Sequence, residues 1–151
     1  MKTDTLAKAL ALLARREHSA HELRRKLLDK GYPAADIDAV ISALVRDKLL
    51  SDGRFTEMYV HARTARGYGP VHIAAALHER GIEKDLIAQH VDHRDPAWRE
   101  HAAAARRKRF GRTWPDSLAE RARQTRFLMA RGYTHEQIGA VLKSDDSGEA
   151  D

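Results

Sequence analysis

The chain has 151 residues, of which 42% are hydrophobic, 32% are charged and only 6% are aromatic. It carries 27 Lys and Arg residues against 22 Asp and Glu residues, and it contains no cysteine. This length allows one domain or a few small units, and the missing cysteines exclude a disulfide framework, a cysteine zinc site, an iron–sulfur cluster and a thiol nucleophile. No apolar run approaches the ~20 residues of a membrane-spanning helix, so we expect a soluble, cytoplasmic protein.

Apolar side chains recur at helical spacing along the chain, and no stretch alternates with the two-residue period of a strand. The sequence therefore predicts an all-α fold. The predicted apolar faces, in chain order, are Leu6, Leu10 and Leu13; Leu23 and Leu27; Ile37, Val40, Ile41 and Leu44; Phe55, Met58, Tyr59 and Ala62; Ile73 and Leu77; and Leu118, Ala122, Thr125 and Met129.

Residues that favour helix starts agree with this pattern. Ser19 with Glu22, and Thr134 with Gln137, have the spacing of a capping box, in which each side chain satisfies a free backbone donor of the first turn. Proline is tolerated in the first turn because its missing N–H would have no partner there. We therefore predict helix starts at all four prolines: Pro33, Pro70, Pro96 and Pro115.

Three glycines reveal an internal repeat. Gly31, Gly81 and Gly132 each follow a predicted helix rich in basic residues, as is typical of a left-handed C-terminal cap. Matching apolar residues stand four positions before, one after, six after and ten after them: Leu27, Leu77 and Leu128; Tyr32, Ile82 and Tyr133; Ile37, Ile87 and Ile138; and Ile41, Val91 and Leu142. Amphipathic helices could align by chance, but the joint recurrence of the glycine and the following apolar residue favours a true repeat.

Each copy is predicted to form a three-helix, helix-turn-helix-like unit. The predicted repeats are residues 1–50, 51–94 and 95–143, followed by a disordered acidic tail at 144–151. Because neighbouring repeats bury each other's faces, we expect an elongated, curved array that suits a long polymeric partner.

No combination of residues demands an enzyme. Among nine histidines, only the pairs His18/His21 and His90/His93 could share a metal, and neither has a third matching ligand nearby. The segment 66–70 is glycine-rich, but it lacks the preceding strand and the lysine of a P-loop, so a loop between helices is the better interpretation. We expect no catalytic residue, no metal and no cofactor.

Positive charge is concentrated in the last third of the chain, where residues 95–143 carry 11 basic and 5 acidic side chains. We predict that the run at 106–112 binds a polyanion, although a solvated helical face is the alternative. Trp98 and Trp114 flank this run, and we expect both to pack in a core. Arg121 and Arg131 belong to the next basic helix. The candidate nucleic-acid or filament-binding residues are Arg24, Arg25, Lys26, Arg54, Arg63, Arg66, Arg106, Arg107, Lys108, Arg109, Arg112, Arg123 and Arg126.

Short motifs distributed along the chain carry a family resemblance. They are Ala9, Leu10 and Leu13; Ser19, Glu22, Leu23 and Leu27; Leu50, Ser51, Asp52, Arg54 and Phe55; Arg66, Gly67, Gly69, Pro70, Ile73 and Leu77; Arg80, Gly81 and Ile82; and Phe127, Leu128, Arg131, Gly132 and Tyr133. Together they resemble RecX, the family of regulatory proteins of the RecA recombinase, over nearly the whole chain. The family often has Arg before the serine, where His18 stands here.

The resemblance implies three tandem three-helix repeats that lie in the groove of the RecA–single-stranded DNA filament and inhibit strand exchange and ATP hydrolysis. It implies a monomer acting in DNA recombination, repair and the SOS response, with the RecA filament and non-specific single-stranded DNA as partners. The alternative is an autonomous helix-turn-helix transcriptional regulator, because three-helix units with turn glycines also suit that motif. Such a protein would prefer one DNA sequence.

Overall fold

The computed structural model describes residues 2–146. All regular secondary structure within that range is α-helical. The helices are α1 (Lys2–Arg15), α2 (Ala20–Asp29), α3 (Ala34–Arg46), α4 (Asp52–Ala65), α5 (Pro70–Glu79), α6 (Lys84–His90), α7 (Ala97–Phe110), α8 (Leu118–Ala130) and α9 (His135–Asp146). Nine helices without a strand among the described residues confirm the predicted all-α fold. None of these helices is long and apolar enough to cross a membrane.

The chain divides into two compact units. The first unit consists of the chain up to Tyr59 together with Leu77–His90, and the second consists of Val60–Ala76 together with the chain from Val91 onward. The division falls within α4 and α5, whereas the predicted repeat boundaries after residues 50 and 94 lie between helices. The predicted boundaries therefore do not coincide with the division into compact units, and they stay a prediction about where the sequence repeats begin and end.

Helices α1, α2 and α3 enclose a core in the first unit. Helices α2 and α3 bury Leu23, Leu27, Ile37, Val40 and Leu44, as their periodicity predicts, while the predicted Ile41 is partly buried against this core. Helix α1 differs, because its buried residues are Thr5, Ala9 and Leu12, while Leu6 and Leu10 are exposed. The predicted face of α1 is wrong because apolar residues occur on several sides of this helix, so periodicity alone does not select the side that packs.

Three helix-ending turns have the same backbone conformation and the same hydrogen bond. The φ angle is positive at each repeat glycine: 92° at Gly31, 77° at Gly81 and 99° at Gly132. The residue after each glycine donates its N–H to the leucine carbonyl five positions back: Tyr32 to Leu27 at 3.2 Å, Ile82 to Leu77 at 3.1 Å and Tyr133 to Leu128 at 3.2 Å. All three leucines are fully buried. The predicted alignment of the three copies is confirmed at these positions.

In the first unit, the Gly81 turn packs closely against the start of α2. Ser19 caps α2 by accepting the Glu22 N–H at 3.0 Å, and its hydroxyl donates to the Arg80 carbonyl at 2.8 Å. A Cβ on Gly81 would lie only 2.4 Å from the Cβ of His21. Glycine is therefore required at this turn both by its positive φ and by the close approach of α2.

In the second unit, the Gly132 turn packs against the start of α5 in a similar way. The Gly69 N–H donates to the Arg131 carbonyl at 2.7 Å, and the Val71 N–H donates to the Gly132 carbonyl at 2.9 Å. A Cβ on Gly132 would lie 2.4 Å from the Cβ of His72. These contacts hold the α4–α5 loop against the end of α8.

Helix α8 presents a different face to the core from the one its apolar spacing predicts. Its buried residues are Gln124 and Leu128, whereas Leu118 is 87% exposed and Met129 is also exposed. The helix also begins later than the prediction for Pro115, because Ser117 is the N-cap and accepts the Glu120 N–H. The physical reason for the rotated face is Gln124, a polar residue that is buried because it has hydrogen-bond partners.

The remaining helix-start predictions agree with the structure. Pro33 and Pro96 are N-cap residues, and Pro70 is the first residue of α5. Before α9, the Gln137 N–H donates to Thr134 Oγ1 at 3.1 Å and the Thr134 N–H donates to Gln137 Oε1 at 2.9 Å, which is the predicted capping box. Helix α9 continues to Asp146, three residues into the predicted tail at 144–151; residues 147–151 of that tail lie outside the described residues.

Candidate nucleic-acid interface

A cavity of about 420 Å³ lies within the second unit, among the end of α4, helix α7 and the end of α8. Its lining includes four cations, a histidine and an aromatic ring: Arg66, Lys108, Arg109, Arg131, His101 and Phe127. None of the described residues that line it is acidic. A cationic hollow without carboxylates attracts phosphate groups, because nothing within it neutralises the cations.

Helix α7 supplies one wall of the cavity. His101, Ala105 and Lys108 follow one another at intervals of four and three residues, which places them on one side of the helix. Ala104 lies beside them and also lines the cavity. The small alanine side chains leave the space that the cavity occupies, while Lys108 and Arg109 place positive charge at its C-terminal end.

The loop after α4 is fixed by hydrogen bonds from the end of α8 and the turn that follows it. The Tyr133 hydroxyl donates to the Gly67 carbonyl at 2.9 Å, and the Arg131 guanidinium donates to the Arg66 carbonyl at 3.3 Å. Burial raises the pKa of Tyr133 to about 12, against the opposing effect of the nearby Arg131 charge. The hydroxyl therefore remains protonated at neutral pH and keeps its place as a donor.

Aromatic rings position two of the arginines without neutralising them. The Arg131 guanidinium carbon lies 4.8 Å from the ring centroid of Tyr68 and 5.1 Å from that of Phe127. The Arg109 guanidinium carbon lies 5.9 Å from the Phe127 centroid and 5.4 Å from that of Phe110. These are cation–π distances. The two guanidinium groups therefore keep their charge for a partner.

Arg106, a predicted binding residue, has a structural role instead. Its side chain is 1% exposed and donates to the carbonyls of Thr113 and Gly111 at 3.0 and 3.1 Å, and to Gln124 Oε1 at 3.3 Å. The prediction for Arg106 is wrong because sequence proximity to exposed arginines does not reveal that this side of α7 faces inward. A buried guanidinium with these partners fixes the α7–α8 loop and is inaccessible to a nucleic acid.

The rest of the predicted run at 106–112 divides between two surfaces of the second unit. Lys108 and Arg109 line the cavity described above. Arg107 and Arg112 are exposed and line a separate depression with Trp114. Trp98 is buried, as predicted, and its indole N–H donates to the Asp92 carbonyl at 2.8 Å, whereas Trp114 is only partly buried and the prediction of core packing is wrong for it.

Three other predicted residues of the second unit lie outside the cavity lining. Arg123 pairs with Glu120 at 3.2 Å, Arg126 is exposed, and the Arg63 guanidinium carbon lies 5.7 Å from the Tyr68 centroid.

In the first unit, Arg25 is exposed. The other three predicted residues of that unit have polar partners: Arg24 with Asp38, Arg54 with Glu17 at 3.0 Å, and Lys26 with His18 Nε2 at 2.9 Å. The pairs of Arg24 and Arg54 are partly exposed, so they do not prevent phosphate binding.

Three side chains that line the cavity are absent from the candidate set: Arg131, His101 and Phe127. The sequence contains a signal for Arg131, because the residue before the repeat glycine is basic in every copy: Lys30, Arg80 and Arg131. No comparable signal exists for His101 and Phe127. They are separated by 26 residues and meet only because α7 and α8 pack together.

The fold and this cavity define an all-α protein of three tandem three-helix domains with a cationic cavity. Three sequence models of the RecX family match consecutive parts of the chain: the first three-helix domain at residues 6–44, the second at 51–90 and the third at 99–142. The chain therefore belongs to the RecX family.

Two relatives agree with this assignment, and a solved structure agrees with the fold. The regulatory protein RecX of Halorhodospira halophila is 39% identical over 141 residues, covering 93% of this chain and 88% of the relative. The corresponding protein of Pseudomonas savastanoi pv. phaseolicola is 42% identical over 134 residues, covering 89% and 86%. The crystal structure of RecX from Lactobacillus salivarius matches with a TM-score of 0.80 at 19% identity, covering 96% of both chains. This structural match shows a shared fold.

Proposed function

We propose that this protein regulates a RecA recombinase by binding in the groove of the RecA–single-stranded DNA filament and inhibiting strand exchange and ATP hydrolysis. The observation that supports this most is the acid-free cationic cavity of the second unit, in a chain of the RecX family. The protein acts by binding rather than by catalysis, as a monomer, in the cytoplasm where the filament forms. Roles in DNA recombination, repair and the SOS response follow from that partner.

The chemistry of the cavity determines the kind of DNA binding that this function requires. Lys108, Arg109 and Arg131 reach phosphates, which carry no sequence information, so binding to free DNA is sequence-independent and depends on counterion release. Four cavity cations give only weak binding to free DNA. The filament binds more tightly because it adds a protein surface to the phosphate contacts.

Two matched double variants test this proposal on the whole chain. K108Q/R109Q removes two cavity charges, whereas R107Q/R112Q removes two exposed charges from the neighbouring depression. Both variants change the net charge equally, so a general loss of positive charge affects both in the same way. The measurement is the affinity for the RecA–single-stranded DNA filament at several salt concentrations, with the fold checked by circular dichroism.

The expected result is a clear difference between the two variants. K108Q/R109Q binds the filament less tightly, and the slope of log affinity against log salt falls by about 0.7 for each phosphate that the variant no longer neutralises. R107Q/R112Q stays closer to the parent. Equal affinities and slopes for both variants and the parent would contradict the proposed site. A strong preference of the parent for one duplex sequence would favour the helix-turn-helix regulator instead.

A further inference from the structure

The cavity is larger and more apolar than a site for a phosphate group alone requires. Its volume of about 420 Å³ falls in the range of sites that enclose an organic ligand. Ala65, Ala104 and Ala105 contribute small apolar side chains, and Phe127 adds an aromatic ring. A bare phosphate on the cations would leave this apolar surface in contact with water.

The polar groups of the cavity suit a flat ring that carries hydrogen-bonding atoms. Phe127 lies close to the guanidinium groups of both Arg109 and Arg131, so a planar ligand meets an aromatic face and delocalised cations together. Thr64 Oγ1 is buried at the cavity and makes no hydrogen bond with any described residue. His101 contributes a second group that can donate or accept.

We propose that this cavity holds one unstacked nucleotide, with its base against Phe127 and the alanines, its edge bonded to Thr64, and its phosphate held by Lys108 and Arg131. This inference rests on the proposed function and names the part of the DNA strand that the site recognises. A nucleotide within a duplex does not fit the description, because its base is already paired and stacked. An acidic peptide would satisfy the cations but would leave the aromatic and alanine surface uncovered.

The first test compares strands with and without bases. The probes are an oligothymidylate and an abasic deoxyribose-phosphate strand of the same length, which carry equal charge. The parent is expected to bind the oligothymidylate about tenfold more tightly, since stacking of a base on an aromatic side chain contributes an effect of this size. F127L removes this preference, and F127Y retains it. Equal binding of the two strands by the parent overturns the inference.

A second variant fills the cavity without removing charge or an aromatic ring. Ala104 is exposed on α7 and lines the cavity, so A104L keeps a good helix former and occupies the space of the base. A122L makes the same change at an exposed position of α8 outside the cavity lining. A104L is expected to lose the preference for the oligothymidylate while A122L keeps it. Retention of the full preference by A104L contradicts the inference even if F127L does not fold.

Small competitors identify the source of the nucleotide. In one outcome, micromolar thymidine monophosphate displaces the oligothymidylate from the parent but not from A104L. This result assigns the cavity to a free nucleotide and supports the same recognition of a base and a phosphate. Weak displacement by thymidine monophosphate, with a preserved base preference, assigns it to a nucleotide within a strand. Displacement by inorganic phosphate or polyglutamate, but not by thymidine monophosphate, overturns the inference.

The nucleotide site and the proposed function can fail separately. If the base preference is absent but K108Q/R109Q still weakens filament binding, the nucleotide inference is wrong and the proposed function stands. If the base preference is present but the parent does not bind the RecA filament, the proposed function is wrong and the nucleotide site stands.

Discussion

The guanidinium carbon of Arg106 lies 3.7 Å from the ring centroid of Trp114, and the same guanidinium donates three hydrogen bonds from a buried position. Removing this side chain deletes all three hydrogen bonds and leaves Gln124 Oε1, on a fully buried residue, without the donor it has here. We therefore expect R106A to reduce the free energy of unfolding by about 2 to 4 kcal/mol. R107A, at an exposed neighbour, changes it by less than about 0.5 kcal/mol. Urea unfolding of both variants is the measurement, and equal stabilities would show that Arg106 has no structural role.

The leucines that precede the repeat glycines provide a prediction about the core. Leu27, Leu77 and Leu128 are fully buried, so replacing any one by alanine is expected to cost about 2 to 5 kcal/mol. Leu28 is the matched control, because it follows Leu27 in the same helix but is 42% exposed. Thermal unfolding of the four alanine variants checks this. If all four melt like the parent, these positions are not equivalent core sites.

The repeat glycines provide a prediction about packing between helices of one unit. Alanine at Gly31 meets no atom within 4 Å, so it costs only the strain of a positive φ, about 1 to 2 kcal/mol. Alanine at Gly81 or Gly132 carries the same strain and also approaches His21 or His72 to 2.4 Å. G81A and G132A should therefore unfold at clearly lower denaturant concentrations than G31A. Three equal midpoints would mean that the close approach contributes nothing.

His18 gives the first unit a stability that depends on pH. The ring is 1% exposed, with Nδ1 3.0 Å from the Arg16 carbonyl and Nε2 2.9 Å from Lys26 Nζ. Burial lowers the pKa of His18 below its ordinary value of 6.5, and the charges of Arg16 and Lys26 act in the same direction, against the Arg16 carbonyl and Glu22. The unfolded chain therefore takes up a proton at this histidine that the folded chain excludes. Stability is lost as the pH falls through the pKa that His18 has in the unfolded chain.

The variant H18Q tests this pH dependence, with H61Q as a control at an exposed histidine. Between about pH 7 and pH 5, the parent and H61Q should lose more stability than H18Q, as measured by urea unfolding. Glu22 does not produce the difference, because its carboxyl pKa is lowered from 4.5 and its stabilising effect is lost only in more acidic solution. Parallel profiles for all three proteins would contradict the account of His18.

Features that depend on a few neighbouring residues could be predicted from the sequence. The Thr134/Gln137 capping box, the Ser19 cap and the three glycine turns are of this kind, since each is completed within about six residues of the chain, whereas the Glu22 side chain pairs with Arg16 instead of completing the second predicted box. The faces of α1 and α8 could not be predicted, because a helix with Leu on several sides, or with a buried Gln124, is oriented by its neighbours. Packing overrides local periodicity at these two helices.

The candidate site shows the same limit over longer distances. Lys108 and Arg109 could be identified as candidates from their charge. The sequence did not show that Arg106, in the same basic run of α7, faces the interior while these two side chains face the cavity. The cavity itself joins Arg66, Lys108 and Arg131, which are far apart in sequence and meet through the hydrogen bonds of the α4–α5 loop. Charge clustering therefore predicts that an anion binds, while the position of the site requires the fold.

Strand exchange by the cognate RecA recombinase, with and without this protein, tests the proposed function most directly. We predict that the parent protein slows strand exchange and that K108Q/R109Q slows it much less at the same concentration, while R107Q/R112Q resembles the parent. Strand exchange that proceeds at the same rate with and without the parent protein would contradict the account.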